Sequence, residues 1–317
     1  MRILIVKTSS LGDVIHNLPV VTDIRRQWPD AAIDWCVEES FSAIPRLHPG
    51  VGRVLPVAVR RWRKQLFDGG TWSEMGALRR SLRERDYDAV LDTQGLVKSA
   101  LIASQAIGPK LGYDAASARE PMAARFYDRH ASVSRQLHAV VRNRELAAKA
   151  LGYTLSGDPD YGIAAPVARF DWLPARPYLV FLTATSRDDK LWPEDHWVAL
   201  GEQLAAKGFL AVLPAGNPVE RQRAARLAKA IPGAIAAPAM KLPELATLLD
   251  GARGVVGVDT GLSHLAVALS VPTVALYTAT EPGLTGVLGP GFHRNLGGKG
   301  QTPAVSQVID ALTPVLS

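Results

Sequence analysis

The sequence predicts an α/β protein with two domains, each built on a parallel sheet. Two strand–turn–helix–strand patterns support this fold class, one at 2–37 and the other at 254–277, because such units join neighbouring parallel strands. The chain has 317 residues, which is enough for two hydrophobic cores. A proline-rich stretch without hydrophobic periodicity, 164–177, lies between the two patterns. We therefore place the first domain at 1–165 and the second domain at 166–317.

The composition excludes several classes of protein. No uncharged apolar run approaches the roughly 20 residues of a membrane span, and the first apolar run is too short for a signal peptide. The single cysteine, Cys36, cannot form a disulfide within the chain and is typical of a reducing compartment, so we expect a cytoplasmic protein with Cys36 in its core. The formal charge of +6 allows an anionic partner, but no nucleic-acid-binding motif accompanies it. The seven histidines lack metal-ligand spacing, so we expect no metal site.

The first strand, at 2–7, leads into a turn that contains Ser10, Gly12 and Asp13, and a helix follows at about 14–27. The turn has one glycine, so the G-x-G-x-x-G fingerprint of dinucleotide-binding domains is absent. Asp13 lies in the first helical turn, where an acidic side chain stabilises the positive end of the helix dipole. A carboxylate directed into a ligand cleft is the other interpretation, and the residues leave both open.

The densest run of charge is at 60–64 and consists of four cationic side chains around Trp62. A solvated helix face explains such a run. A site for a polyanion, such as a phosphorylated lipid headgroup, explains it as well.

A pattern similar to the one at 254–277 occurs at 88–101, with Gln94 in its turn and Lys98 one turn into its helix. The similarity suggests two halves of similar construction. The stretch at 108–138 shows no clear strand signal, and we expect irregular or helical structure there. A helix is predicted at 137–151.

The second domain begins with an apolar strand at 178–182 and a hydroxyl-rich loop. This loop contains Thr185 and Ser186 and ends in Lys190, and a helix follows at about 193–207. Hydroxyl groups and a lysine at the carboxyl end of a strand suit a diphosphate, although an ordinary surface loop has the same composition.

A strand at 210–213 and a helix at about 219–230 come next, and Glu220 opens the helix. Glu220 can cap that helix or accept hydrogen bonds from a ribose, as acidic residues do in nucleotide-binding folds. Met240 precedes a further short helix that ends near Leu249.

The strand at 255–258 ends in Asp259, Thr260 and Gly261, where a helix of small residues starts. A helix start offers unpaired backbone N–H groups and a positive dipole, which suit a phosphate, and Gly261 lets an anion approach the backbone. The alternative is that Asp259 or Thr260 only caps the helix. A final helix at about 305–316 can pack back toward the first domain.

Four short motifs in this order resemble those of the bacterial lipopolysaccharide heptosyltransferases of glycosyltransferase family 9. They are KTSSLGDVIH at 7–16, DTQGLVKS at 92–99, TSRDDK at 185–190 followed by Trp192-Pro193, and GVDTGLSHL at 257–265. The resemblance covers essentially the whole chain and implies the glycosyltransferase B architecture, in which two Rossmann-like domains face each other across a cleft. The loop at 185–190 is more similar to the heptosyltransferase I branch than to the heptosyltransferase II branch.

The resemblance implies transfer of L-glycero-D-manno-heptose from ADP-heptose, with inversion, to the 3-deoxy-manno-octulosonic acid (Kdo) residue of Kdo-lipid A. It also implies a peripheral protein on the anionic inner membrane, at its cytoplasmic face. ADP-heptose is then a substrate, and no cofactor or metal ion is expected. Heptosyltransferase II activity, a nucleotide-sugar epimerase of the same architecture and a non-enzymatic phosphoglycan-binding module remain as alternatives.

The resemblance also assigns roles to residues, with Asp13 as the catalytic base. Lys190 and the hydroxyl groups near it would contact the donor diphosphate, and Asp259 would hold the heptose hydroxyls. The implied donor site consists of Thr185, Ser186, Lys190, Glu220, Met240, Asp259, Thr260, Gly261 and His264. The expected acceptor site consists of Ser10, Gly12, Arg60, Arg61, Arg63, Lys64, Gln94, Lys98 and Arg119.

Overall fold

In the computed structural model, the described residues are 1–65 and 67–316, and the chain divides into two compact units, Met1–Ile163 and Ala164–Ser317. Each unit contains one six-stranded sheet in which all neighbouring strands are parallel. Helices connect most of these strands, because a parallel pair needs a long crossover. The predicted α/β fold class is therefore confirmed.

The sheet of the first unit has the strand order β3-β2-β1-β4-β5-β6. Its strands are β1 (Arg2–Val6), β2 (Ala32–Glu38), β3 (Val51–Val57), β4 (Ala89–Asp92), β5 (Lys110–Tyr113) and β6 (Arg129–Ala131). Its helices are α1 (Leu11–Ile15), α2 (Leu18–Gln27), α3 (Ala43–Arg46), α4 (Val59–Trp62), α5 (Gly69–Arg83), α6 (Val97–Ala103) and α7 (Ala139–Leu151).

The centre of this sheet is fully buried, because helices cover both of its faces. Leu4 and Val6 of β1 pack with Cys36, Leu55 and Val90 in one hydrophobic core. The prediction that Cys36 is a core residue is confirmed.

The helix predicted at 14–27 is divided in the structure into α1 and α2. The second of these begins after Asn17, with Pro19 in its first turn. Proline has no backbone N–H, and its ring clashes with the carbonyl four residues earlier in a continuous helix. A new helix that starts beside Pro19 avoids both costs.

The expectation of irregular or helical structure throughout 108–138 is wrong in part. This stretch contributes β5 and the edge strand β6, with a 3-10 helix, Pro121–Phe126, between them. These strands have four and three residues, K-L-G-Y and R-H-A, without a β-branched side chain. Their pairing with the rest of the sheet, and not their own sequence pattern, therefore makes them strands.

The sheet of the second unit has the strand order β12-β11-β10-β7-β8-β9. Its strands are β7 (Tyr178–Leu182), β8 (Leu210–Leu213), β9 (Ile235–Ala236), β10 (Gly254–Val258), β11 (Thr273–Tyr277) and β12 (His293–Gly297). Its helices are α8 (Glu194–Ala206), α9 (Pro218–Ala230), α10 (Leu242–Asp250), α11 (Gly261–Ala268) and α12 (Val305–Leu316). Helix α12 packs against α8, β11 and β12 of this same unit.

The two sheets have the same topology. In each sheet the first and fourth strands are central neighbours, and the chain proceeds outward from them in opposite directions. This is the doubly wound arrangement of nucleotide-binding domains. Within the part of the chain that the structure describes, no helix combines the length and the apolar character needed to cross a membrane.

Candidate functional site

Each sheet brings two of the four sequence motifs together at one point. Ligands of doubly wound sheets bind beyond the carboxyl ends of the strands, where the strand order reverses direction. This point lies between β1 and β4 in the first unit and between β7 and β10 in the second. Two of the motifs begin at the end of one of these strands and two begin within three residues after one. Each unit therefore has one candidate site at its reversal point.

In the first unit, Asp13 combines a capping contact with access to solvent. The backbone N–H and the hydroxyl of Ser10 donate to Asp13 Oδ2 at 2.8 and 3.0 Å, so Asp13 does stabilise the start of α1. The side chain remains partly exposed. A carboxylate has two oxygens and about four acceptor positions, so this contact is compatible with accepting a proton from a ligand.

Gln94 fixes the loop that carries Asp13. Its side chain is buried, and its Oε1 accepts hydrogen bonds from the backbone N–H groups of Thr8 and Ser9 at 3.1 and 3.2 Å. Lys98 Nζ donates to Ser9 Oγ at 3.2 Å. The motif after β4 therefore holds the motif after β1 in place, and a direct contact of Gln94 with an acceptor stays a prediction.

A buried lysine beneath this loop was not among the predicted site residues. Lys7 Nζ donates to the carbonyl of Thr93 at 2.8 Å and to Asn143 Oδ1 at 3.3 Å. Burial lowers the pKa of Lys7 to about 8, although Asp13 and Asp92 partly offset this effect. Lys7 could have been noticed because it belongs to the first motif, whereas Asn143 comes from α7 with no local signal.

The cationic run at 60–64 does not act as one cluster. Arg61 pairs with Glu39 at 3.1 Å and with Glu74 at 2.9 Å, so two carboxylates offset its charge. The guanidinium of Arg60 lies 5.4 Å from the centre of the Phe41 ring. The remaining cations of the predicted acceptor set that are exposed to solvent are Arg63, Lys64 and Arg119.

In the second unit, three loops meet at the carboxylate of Asp259. Lys190 Nζ lies 2.7 Å from Asp259 Oδ2, and the hydroxyl of Thr280 donates to the same oxygen at 2.7 Å. Thr185 Oγ1 donates to the backbone carbonyl of Asp259 at 2.8 Å. The loops after β7, β10 and β11 are thus joined. Thr280 lies in the Gly- and Pro-rich loop after β11, which carries no local signal of a ligand site, so the sequence did not predict its contact with Asp259.

The start of α11 remains available to a ligand. Thr260 is the N-cap residue, and its side chain makes no capping hydrogen bond, while the carboxylate of Asp259 bonds Lys190 and Thr280. The structure therefore does not support the interpretation that either side chain only caps the helix. Gly257 keeps β10 close to α11, because a Cβ at this position would collide with Ser263 Oγ. His264 is buried in the first turns of α11.

The other predicted donor residues lie along the same edge of the sheet. Glu220 Oε2 accepts from the backbone N–H of Gly216 at 2.8 Å, and Glu220 forms a capping box with Asn217 at the start of α9. The capping interpretation of Glu220 is therefore confirmed, and a ribose contact stays a prediction. Met240 follows β9 and is partly exposed, while Ser186 is exposed in the loop after β7.

Within 1–65 and 67–316, no group of three His, Cys, Asp or Glu side chains is arranged to hold a metal ion.

The chain is similar to heptosyltransferases in both sequence and structure. The model of glycosyltransferase family 9 (heptosyltransferase) matches residues 75–308. Lipopolysaccharide heptosyltransferase 1 of Escherichia coli K12 is 49% identical over 291 residues, which are 91% of this chain and 91% of that protein. The structure of E. coli heptosyltransferase WaaC with ADP covers 99% of this chain and 100% of its own, with 44% identity and a TM-score of 0.92. The structure of the same E. coli protein with ADP-2-deoxy-2-fluoro heptose has a TM-score of 0.87 and covers 99% of this chain and 98% of its own.

Proposed function

Because the chain belongs to glycosyltransferase family 9, we propose that it transfers L-glycero-D-manno-heptose from ADP-heptose to the Kdo residue of Kdo-lipid A. The observation that carries this proposal is the meeting of Lys190, Asp259 and Thr280 at the reversal point of the second sheet. A lysine beside a carboxylate at a helix start can bind the two parts of a nucleotide-diphosphate sugar, the anionic diphosphate and the hydroxyl-rich sugar. The high identity to a heptosyltransferase 1 favours the first heptosyl transfer of the inner core over the second.

In this proposal the second unit binds the donor. Lys190, Thr185 and Ser186 contact the diphosphate together with the backbone at Thr260 and Gly261. Asp259 accepts hydrogen bonds from the heptose hydroxyls, and His264 lies near the diphosphate. At the other end of the donor, Glu220 binds the ribose and Met240 contacts the adenine. The ADP in the structure of the E. coli relative supports an adenine nucleotide as the ligand of this unit.

The first unit then binds the acceptor. Asp13 takes the proton from the attacking Kdo hydroxyl as a general base. The exposed cations Arg63, Lys64 and Arg119, together with Lys98, attract the acceptor's carboxylate and phosphates. Arg61, which pairs with Glu39 and Glu74, holds the cationic run in position.

We further propose that the transfer inverts the anomeric configuration and needs no metal ion. One base and one displacement produce inversion, because attack occurs opposite the leaving ADP. The negative charge that develops on ADP is stabilised by Lys190 and by the N–H groups at the start of α11, so these groups can replace a metal ion. The protein is expected to work as a peripheral enzyme at the cytoplasmic face of the inner membrane, where its lipid acceptor is accessible.

One assay tests the proposal and separates it from its alternatives. ADP release is measured with ADP-heptose alone and with ADP-heptose plus Kdo-lipid A, after treatment with a chelator. We expect release that depends on the acceptor and a product that is heavier by one heptose. Conversion of ADP-heptose to an isomer without acceptor would indicate an epimerase, and binding without ADP release would indicate a binding module. Strict dependence on added magnesium would contradict the metal-independent step.

A further inference from the structure

A groove with apolar walls opens on the surface of the first unit. It has a volume of about 540 Å³ and is lined by residues of α4, α5 and α6. Trp72, Met75 and Leu101 are 59%, 36% and 48% exposed, and all three line it. Apolar side chains that are exposed together on a soluble domain mark a binding surface. The volume lies within the range of about 300–1,000 Å³ that is usual for small-molecule sites.

The charged side chains of this groove are all cationic. Arg63, Arg79 and Lys98 line it, and none of its described lining residues is acidic. A groove with apolar walls and cations suits a ligand that joins an apolar chain to an anionic headgroup, because each part then contacts its complement.

The groove shares Lys98 and Arg63 with the predicted acceptor set. Lys98 lines the groove, and its Nζ donates to Ser9 Oγ at 3.2 Å, in the loop that carries Asp13. Arg63, which lines the groove as well, belongs to the cationic run of the predicted acceptor set. One ligand molecule can therefore place its sugar near Asp13 and its chain in the groove.

We propose that this groove, lined by α4, α5 and α6, binds an acyl chain of the lipid acceptor. The proposal rests on the proposed function, because it identifies the part of Kdo-lipid A that the groove receives. It predicts that acylation of the acceptor contributes directly to binding and does not only attach the acceptor to the membrane. Each methylene buried from water strengthens binding about fourfold, so even partial loss of these contacts is measurable.

The test compares acylated and deacylated acceptors. The double variant Met75→Gln/Leu101→Gln replaces two exposed apolar side chains of the groove by polar side chains of similar size, so the fold should persist. We expect the KM for Kdo-lipid A to rise about tenfold, while the KM for the fully deacylated acceptor and the KM for ADP-heptose stay within about twofold of wild type. The matched control is Met122→Gln, at a methionine that is 50% exposed and lies outside the groove, and it should change none of these values. An unchanged ratio of the two acceptor KM values in the double variant would overturn the proposal.

A second measurement keeps the two proposals separate. Monomeric dodecyl phosphate with a brominated chain should quench tryptophan fluorescence saturably, less so in Trp72→Phe and not in the double variant. If wild type transfers heptose to neither acceptor, the proposed function fails and this titration alone decides whether the groove binds an anionic alkyl chain. Absence of quenching, or quenching that persists in the double variant, would then overturn the groove assignment.

Discussion

The ion pair between Lys190 and Asp259 allows the donor site to be tested with one charge removed. We predict that Asp259→Asn lowers kcat/KM for ADP-heptose and leaves the affinity for ADP no weaker than that of wild type. The physical reason is that Asp259 binds the sugar in the proposed arrangement, whereas Lys190 binds the diphosphate. Without the carboxylate, Lys190 loses its partner at 2.7 Å and remains available to the phosphates.

The size of the effect follows from the geometry of the pair. The Lys190 and Asp259 side chains are only 17% and 14% exposed, so solvent screens their interaction weakly. Hydrogen bonds to charged groups contribute about 1.5–3 kcal/mol. Loss of the sugar contact should therefore raise the activation barrier by about 2 kcal/mol, which corresponds to a decrease of about 30-fold in kcat/KM.

The assay combines steady-state kinetics with calorimetric titration of ADP and ADP-heptose. Asp189→Asn is the matched control, because Asp189 pairs with Arg187 in the neighbouring loop and both side chains are at least half exposed. Such surface pairs contribute about 0–1 kcal/mol, so this variant should lose less than about fivefold in kcat/KM. Equal losses of affinity for ADP and ADP-heptose in Asp259→Asn would show that Asp259 only maintains the fold of the loop, and the assignment would be refuted.

Three further predictions concern the first unit. Asp13→Ala should abolish turnover while calorimetry shows unchanged ADP affinity, and loss of ADP binding would make Asp13 a purely structural residue. Arg144→Leu should lower the free energy of unfolding, measured in urea, by about 3–5 kcal/mol. The reason is that the carboxylate of Asp23 stays buried without the guanidinium that contacts it at 2.7 Å. A loss below about 1 kcal/mol would contradict this prediction. Burial lowers the pKa of Lys7 to about 8 from 10.5, so between these pH values the unfolded chain binds more protons and the free energy of unfolding should rise with pH. Urea unfolding of wild type and Lys7→Met is measured from about pH 7 to 10.5. The free energy of unfolding of wild type minus that of Lys7→Met should rise over this range, and a constant value would be inconsistent with the prediction.

The positions of the site residues could be predicted where the signal is local. Asp13 lies in the first turn of the helix that follows an apolar run, and Asp259 lies between an apolar run and the next helix. This order of strand and helix alone predicts the carboxyl end of a parallel strand. The sheet order adds what the pattern lacks. Because β1 pairs with β4 and β10 pairs with β7, Gln94 reaches the Asp13 loop and Lys190 reaches Asp259.

The partners that could not be predicted come from distant elements. Asn143 of α7 contacts Lys7 across 136 positions of sequence, and Glu39 and Glu74 neutralise Arg61 from two other segments. No spacing rule connects such residues, since their contact depends on the packing of whole elements. The run at 60–64 therefore looked uniform in the sequence, whereas the fold gives Arg61 two carboxylate partners and leaves Arg63 exposed.

The similar motifs after β4 and β10 show why a motif alone does not identify a ligand site. Asp92 and Asp259 occupy similar places, because Asp92 is the last residue of the fourth strand of its sheet and Asp259 directly follows the fourth strand of the other. Asp92 is fully buried, and four donors satisfy it: the hydroxyls of Ser99 and Tyr127 at 2.8 and 2.7 Å, and the backbone N–H groups of Gln94 and Gly95. Burial raises the pKa of Asp92, and these hydrogen bonds only partly offset that effect.

The carboxylate of Asp259 meets a cation and one hydroxyl instead, and it keeps contact with solvent. A buried carboxylate that has all of its acceptor positions filled can only hold the fold together. A partly exposed carboxylate that is paired with a lysine can exchange that contact for ligand contacts, because a ligand hydroxyl can donate to the carboxylate and a ligand phosphate can pair with the lysine. The same Asp-Thr start therefore produces an anchor for the Asp13 loop in the first unit and a candidate sugar site in the second. The hydroxyl of Tyr127, which comes from the segment between β5 and β6, completes the shell around Asp92, whereas Asp259 has Lys190 as its partner.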